Sequence, residues 1–242
     1  GLGYYARARP LPATARYIAH ELGGRFPDTY ESILALKGVG PYTAAAIASF
    51  AYDLPHAVLD GNVFRVLARI FGIQTPIDSS AGKREFSRLA ERLLDSSQPG
   101  RYNQAIMDFG ATHCTPVHPR CDACPFRNGC RAARKGLVEA LPVKAKKLKK
   151  KDRYFHYLVL EQGAELYLRR RTGKDIWQRL FEFPLIELDY LAEQHSELTG
   201  HADWKRWIGE LPYQVQQSSR SFSQPLSHQR IHARFWRIEL PQ

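Results

Sequence analysis

Apolar residues recur every three or four positions in ATARYIAHEL (13–22), NVFRVLARIF (62–71) and KREFSRLAERLL (83–94). That period predicts amphipathic helices. TAAAIASFAY (43–52) reads as a further helix built from small residues, and Gly23-Gly24 stops the first one. No alternating pattern appears before residue 153. After it the period changes. YFHYLVLEQ (154–162) and ELYLRRR (165–171) predict a strand pair joined near Gly163, and IHARFWRIEL (231–240) predicts another strand. DWKRWIGEL (203–211) predicts a short helix between them. An all-helical domain followed by an α+β domain is therefore expected. No internal repeat is visible.

The 242 residues suit one large domain or two ordinary ones, enough to bury a core without staples. No apolar run approaches the ~20 residues of a membrane span. Residues 1–135 carry 17 Lys/Arg against 11 Asp/Glu, residues 136–153 carry 7 against 2, and residues 154–242 carry 11 against 11. VKAKKLKKKDR (143–153) resists packing and marks a boundary. Three segments follow: a helical domain at 1–135, a basic connector at 136–153 and a second domain at 154–242. The basic front half suggests a polyanion partner, although charge alone also serves solubility.

Two motifs carry chemistry. CTPVHPRCDACPFRNGC (114–130) holds all four cysteines of the chain. Two disulfides, a structural zinc and an iron–sulfur cluster compete for them. A disulfide scaffold is disfavoured by so few cysteines, and a reducing, cytoplasmic compartment fits better. In LKGVGPYTAAAIASFAY (36–52), Gly38 and Gly40 flank Val39 between two helices. A turn free of side chains, followed by free helix N–H groups from Pro41 onward, can receive a phosphate. An ordinary helix-helix turn explains G-x-G equally well. Asp60 lies just before a helix in HAVLDGNVFRVLARI (56–70), where a cap is the commoner role, with Asn62 supporting the turn.

Together these features resemble the helix-hairpin-helix DNA glycosylases that carry an iron–sulfur cluster. The spacing C-x6-C-x2-C-x5-C is similar to that of the endonuclease III and adenine glycosylase group. The resemblance implies a [4Fe–4S] cluster on Cys114, Cys121, Cys124 and Cys130. Its bifunctional members place a lysine just after the hairpin to form a Schiff base with the sugar. This chain has Tyr42 there, and Lys37 does not fill that position, so a single-function glycosylase without strong lyase activity is expected.

GLGYYARARP (1–10) and the second domain extend the likeness to the adenine DNA glycosylase family. GKDIWQRLFEFPLIE (173–187) resembles the early segment of its Nudix-like 8-oxoguanine-recognition module. LSH (226–228) resembles that module's Phe-Ser-His motif, with Leu226 replacing Phe. Arg179 stands where the family pattern has glycine. No R-E-x-x-E-E string follows Pro184, so recognition without pyrophosphate hydrolysis is implied.

The family reading implies adenine excision from 8-oxoguanine:adenine or guanine:adenine pairs in double-stranded DNA, by a monomer. Asp60 matches the carboxylate beside the oxocarbenium-like sugar, Asn62 its support, and Tyr42 a residue near sugar or base. Tyr4 matches an aromatic wedge, while Gly38, Val39 and Gly40 match the phosphate-binding hairpin. Ser227 and His228 match the 8-oxoguanine reader. The family's general-acid glutamate lies on a helix upstream of the GLGYY segment, so this chain is expected to lack it and to be truncated at both ends. Arg120, Arg127 and Arg131 are expected to face phosphate. Two rival classes remain open, a bifunctional glycosylase/lyase and a non-catalytic lesion-binding protein.

Overall fold

The computed structural model describes residues 8–145, 150–226 and 228–241. Two compact units emerge, Gly1–Lys147 and Leu148–Gln242. The first is helical in its described part: α1 (Leu11–His20), α2 (Tyr30–Leu34), α3 (Pro41–Tyr52), α4 (Gly61–Phe71), α5 (Ser80–Leu93), α6 (Pro99–Thr112) and α7 (Arg131–Lys135). Each start has a local cause. Thr29 forms a capping box with Ser32 ahead of α2, and Ser79 caps α5 through the Gly82 N–H. Pro41 and Pro99 open α3 and α6 with a preset φ and no N–H to lose. Val63, Leu67, Phe86 and Leu89 form the main core, with Ala45 and Val58 beside them.

Two stretches depart from the sequence expectation. Helix α6 was missed, because PGRYNQAIMDFGAT mixes polar and apolar residues on most faces. Its Asn103 is buried, accepts from the Val58 N–H at 3.2 Å and donates to the His56 carbonyl at 2.9 Å. The basic segment also contributes to folded structure at both ends. Ile77 donates to the Val143 carbonyl at 3.0 Å, and the first strand begins at Lys151.

The second unit is a mixed sheet. Strand β1 (Lys151–Gln162) runs parallel to β8 (Gln229–Glu239) over eleven paired positions, from Lys151↔Gln229 to Glu161↔Glu239. Hairpin partner β2 (Glu165–Leu166) follows β1 through Gly163, as expected, but ELYLRRR breaks before β3 (Arg169–Arg170), which pairs with β4 (Phe181–Glu182). Strand β5 (Leu185–Leu188) flanks β1, while β6 (Gln214–Ser218) and β7 (Phe222–Pro225) flank β8. The alternation in β1 supplies both faces. Leu158 and Leu160 pack with Trp204, Ile208, Trp236 and Ile238, bringing in α8 (Ala202–Trp207), whereas Phe155 and Tyr157 pack with Leu185 and Ile231 on the other side. Among the described residues no helix is long and apolar enough to cross a membrane.

Candidate active site and cysteine loop

The hairpin between α2 and α3 is built as its glycines suggest. Gly38 has φ +87°, and a Cβ there would collide with the Pro10 ring. Its backbone and its crowding both require glycine. Gly40 caps α3 in an extended conformation, with open space where a Cβ would stand and no side chain capping the helix. The first-turn N–H groups of α3 are thus presented on an uncovered surface. Thr14 of α1 donates to the Lys37 carbonyl at 2.7 Å and ties the turn from behind. Val39 is half-buried and packs with Ile33, Ala44 and Ala48.

Tyr42 lies in the first turn of α3 and borders a cavity of about 590 Å³ that Glu31, His56, Leu59 and Glu91 also line. Its hydroxyl reaches the Met107 sulfur at 3.7 Å. Asp60, which follows Leu59, is the N-cap of α4. One carboxylate oxygen accepts from the Val63 N–H at 2.8 Å, the other from the Asn62 amide at 2.9 Å. Capping and support, set against a chemical role in the sequence, are both realised, and neither excludes the other.

The network continues inward. The Asn62 side-chain Oδ1 accepts from Arg65 at 2.9 Å, and Arg65 donates onward to the Gly110 backbone carbonyl at 2.6 Å and the Cys114 backbone carbonyl at 2.8 Å. Gly110 makes this approach possible, since a Cβ there would stand 2.7 Å from the Asn62 Cβ. One turn later, Arg69 donates to the carbonyls of Thr115 (2.7 Å), Pro116 (3.2 Å), Val138 (2.8 Å) and Leu141 (3.2 Å), and to the Cys114 sulfur at 3.4 Å. Both arginines are buried. Burial lowers the Arg65 pKa, and the charge of Arg69 adds to the effect. Sequence reading missed both, yet the signal was present: two cations one turn apart inside the apolar stripe of NVFRVLARIF.

Cys114, Cys121, Cys124 and Cys130 line one cavity. Burial pushes the Cys121 thiol up, and the nearby Cys114 and Cys124 sulfurs add to that shift, so the thiols are close enough to sense one another's charge. Among the described residues no group of three or more His, Cys, Asp or Glu side chains is placed to hold a single metal ion. Such a soft donor set fits an iron–sulfur cluster or zinc chemically. The three arginines expected to face phosphate each have a protein partner: Arg120 the Thr112 carbonyl, Arg127 the Asp122 carboxylate and Arg131 the Phe71 carbonyl.

In the second unit, His228 is exposed, and its carbonyl accepts from the Lys151 N–H at 3.2 Å. Leu226, replacing the aromatic residue of the resembled motif, packs inward beside Phe155 and Ile231. Tyr4 and Ser227 lie outside the described residues. No hydrogen bond joins Tyr42 to Asp60 among the described residues.

Residues 21–50 match the helix-hairpin-helix motif. The adenine DNA glycosylase of Mus musculus is 35% identical over an alignment of 256 positions that covers 88% of this chain and 50% of that protein. The Arabidopsis thaliana enzyme is 38% identical over an alignment of 207 positions that covers 80% of this chain and 33% of its own length. That of Buchnera aphidicola subsp. Acyrthosiphon pisum is 32% identical, covering 76% and 53%. A solved structure of a thermostable thymine-DNA glycosylase superposes with a TM-score of 0.50 at 34% identity, over 54% of this chain and 59% of that one. The chain spans about half or less of the length of these curated relatives. Over most of its own length, then, the chain is a homologue of the adenine DNA glycosylases, and residues 21–50 of its amino-terminal unit carry a helix-hairpin-helix motif.

Proposed function

We propose that this chain forms the hairpin, cluster and recognition part of a single-function DNA glycosylase that hydrolyses the N-glycosidic bond of adenine opposite 8-oxoguanine or guanine. The observation that carries the reading is the Asp60 carboxylate, fixed by the Val63 N–H and the Asn62 amide at the mouth of α4. A base inside a duplex must be turned out of the stack before its glycosidic bond can be reached. As that bond breaks, positive charge develops on the sugar, and a preorganised carboxylate stabilises it without reorganising. Tyr42, where a lyase would carry an amine, leaves hydrolysis as the outcome. The uncovered α3 amides take a DNA phosphate.

Cys114, Cys121, Cys124 and Cys130 would hold a [4Fe–4S] cluster, which supplies a covalent fixture for their loop and a redox-active centre. Arg69 would face it at Cys114. The second unit, as a Nudix-like module, would read 8-oxoguanine through the 226–228 turn, with Ser227 and His228 as its polar groups.

In the full-length enzyme, Asp60→Asn is expected to slow adenine release from an 8-oxoguanine:adenine duplex by about 10²–10³-fold with duplex affinity retained. An unchanged single-turnover rate would remove Asp60 from the chemistry. Affinity should fall with salt, each phosphate contact contributing about −0.9 to the slope of log K against log[salt]. A flat salt response would contradict the hairpin reading.

A further inference from the structure

The described cavity of the four cysteines contains one polar group that neither capping nor the arginine network explains. His113 directly precedes Cys114 at the end of α6, where its backbone N–H donates to the Phe109 carbonyl at 3.0 Å. Its imidazole stacks on Phe109, with ring centroids 5.1 Å apart and planes inclined by 16°, and Phe126 packs edge-on against the same Phe109 at 5.3 Å. Phe109 is thus held between Phe126 and the imidazole, and it fixes one face of the His113 ring. It lines the cysteine cavity, and its Nε2 is buried with no hydrogen-bond partner. Buried ring nitrogens are ordinarily satisfied, and in the Nε2–H tautomer this one needs an acceptor.

The cavity walls narrow the choice. Arg69 and Arg127 are the other polar side chains there, and both can only donate. No carboxylate, amide or hydroxyl side chain lines the space. Sulfur is the only side-chain acceptor within it.

We infer that His113 donates an Nε2–H hydrogen bond to a sulfur of the iron–sulfur cluster held by Cys114, Cys121, Cys124 and Cys130, and so raises the cluster's reduction potential. The inference rests on the proposal that these four cysteines carry such a cluster. A hydrogen bond withdraws electron density from the sulfur, which favours the more electron-rich reduced state. Arg69 already donates to the Cys114 sulfur at 3.4 Å. His113 is thus a second donor beside the same cluster, and a positioning and tuning residue, not a ligand.

The test uses the whole chain, purified anaerobically and selectively labelled with ¹⁵N-histidine. Iron and acid-labile sulfide are measured first. The midpoint potential is then found by potentiometric titration, and nitrogen coupling to a paramagnetic cluster state by pulsed electron paramagnetic resonance. The wild type should show one weak ¹⁵N coupling. His113→Phe keeps a flat ring on Phe109 but has no N–H, so it should retain iron, lose that coupling and shift to a more negative potential. His113→Gln, which restores an N–H donor, should recover part of the shift. A full cluster with no ¹⁵N coupling, and a His113→Phe potential equal to wild type, would overturn the inference alone. A strong coupling from directly bonded nitrogen would replace it with ligation. Wild-type protein without iron and sulfide would overturn the cluster proposal itself. Should His113→Phe fail to retain iron, the wild-type coupling still decides.

Discussion

Both units bury arginines, but they satisfy them in opposite ways. In the helical unit, Arg65 and Arg69 donate almost entirely to neutral carbonyls, and a carboxylate is reached only through Asn62. In the sheet unit, Arg153 makes paired hydrogen bonds to both Asp175 and Glu187, and Arg171 reaches Asp175 and Glu182. The Glu187 hydrogen bond, chiefly, holds Arg153 still further above its ordinary pKa. Carboxylate pairing cancels charge where it stands. Carbonyl clamping leaves two positive charges beside the cysteines and behind Asp60. There they can offset negative charge on the cysteine sulfurs, which Arg69 reaches at Cys114. The first arrangement stabilises a sheet, while the second fixes a loop and sets a field.

Removing Arg69 breaks this contrast most severely. Arg69→Met would strand the carbonyls of Thr115, Pro116, Val138 and Leu141, and each unsatisfied group costs about 1–3 kcal/mol when water cannot replace the donor. Loss of about 3 kcal/mol or more is expected, together with loss of the iron proposed for the cysteine loop. Arg153→Met should cost about 1 kcal/mol, because its partners are partly solvated and screened. The two responses can be read separately: all four tryptophans, Trp177, Trp204, Trp207 and Trp236, belong to the sheet unit. Urea unfolding followed by tryptophan fluorescence reports that unit, and visible absorption reports the cysteine loop. Equal damage by both substitutions would erase the distinction between clamped and paired arginines.

Acid should sharpen it. His156 is fully buried on β1, with Nε2 3.2 Å from the Tyr190 carbonyl and Nδ1 unpartnered. Burial lowers its pKa. A depressed folded-state value means that the unfolded chain takes up the proton first. Stability is then intact above the ordinary histidine value of about 6.5 and is lost as pH falls toward the folded-state pKa, about 1.4 kcal/mol for each unit of depression. Asp175, lowered chiefly by its hydrogen bond to Arg153, adds a second loss as pH falls below the ordinary aspartate value of about 3.9. The carbonyls around Arg69 do not titrate. Fluorescence-detected unfolding should therefore weaken in two steps, and His156→Leu should remove the upper one. Persistence of that upper step in the variant would place the titrating group elsewhere.

What the sequence revealed follows the same division. Periodicity placed α1, α3, α4, α5 and the long strands β1 and β8, since each presents a regular apolar face to a core. The hairpin glycines and Asp60 were legible because turns and caps are written locally. Helix α6 and strands β4 to β7 were not, being short or weakly patterned and held by partners distant in sequence. Arg65, Arg69 and Asn103 show why part of the site was hidden. Their roles depend on carbonyls more than forty residues away, which no spacing rule encodes.

The smallest expected effect concerns how the two units treat left-handed backbone. The helical unit places glycine at Gly38, Gly72 and Gly136, with φ of +87°, +65° and +65°. The sheet unit does so at Gly163 and Gly209 (+59° and +62°), and each unit also holds non-glycine residues there, Asp53 (+51°) and His118 (+49°) in the first, Trp177 (+55°) and Arg179 (+72°) in the second. Left-handed backbone costs an L-residue about 1–2 kcal/mol, while glycine loses about 0.4–1 kcal/mol through its freer unfolded chain. Arg179 is exposed, and its backbone N–H donates to the Arg171 carbonyl at 2.7 Å, a bond that glycine keeps. Arg179→Gly should thus stabilise the sheet unit by about 0.5–1 kcal/mol, a rise of a few degrees in Tm. Duplex binding distinguishes two reasons for the arginine. If affinity and its salt slope stay unchanged as Tm rises, the cation makes no phosphate contact. If the slope shrinks by about 0.9, one phosphate contact has been lost, and the strained backbone places that charge on DNA. A fall in Tm would show instead that the arginine side chain contributes more stability than its backbone conformation costs.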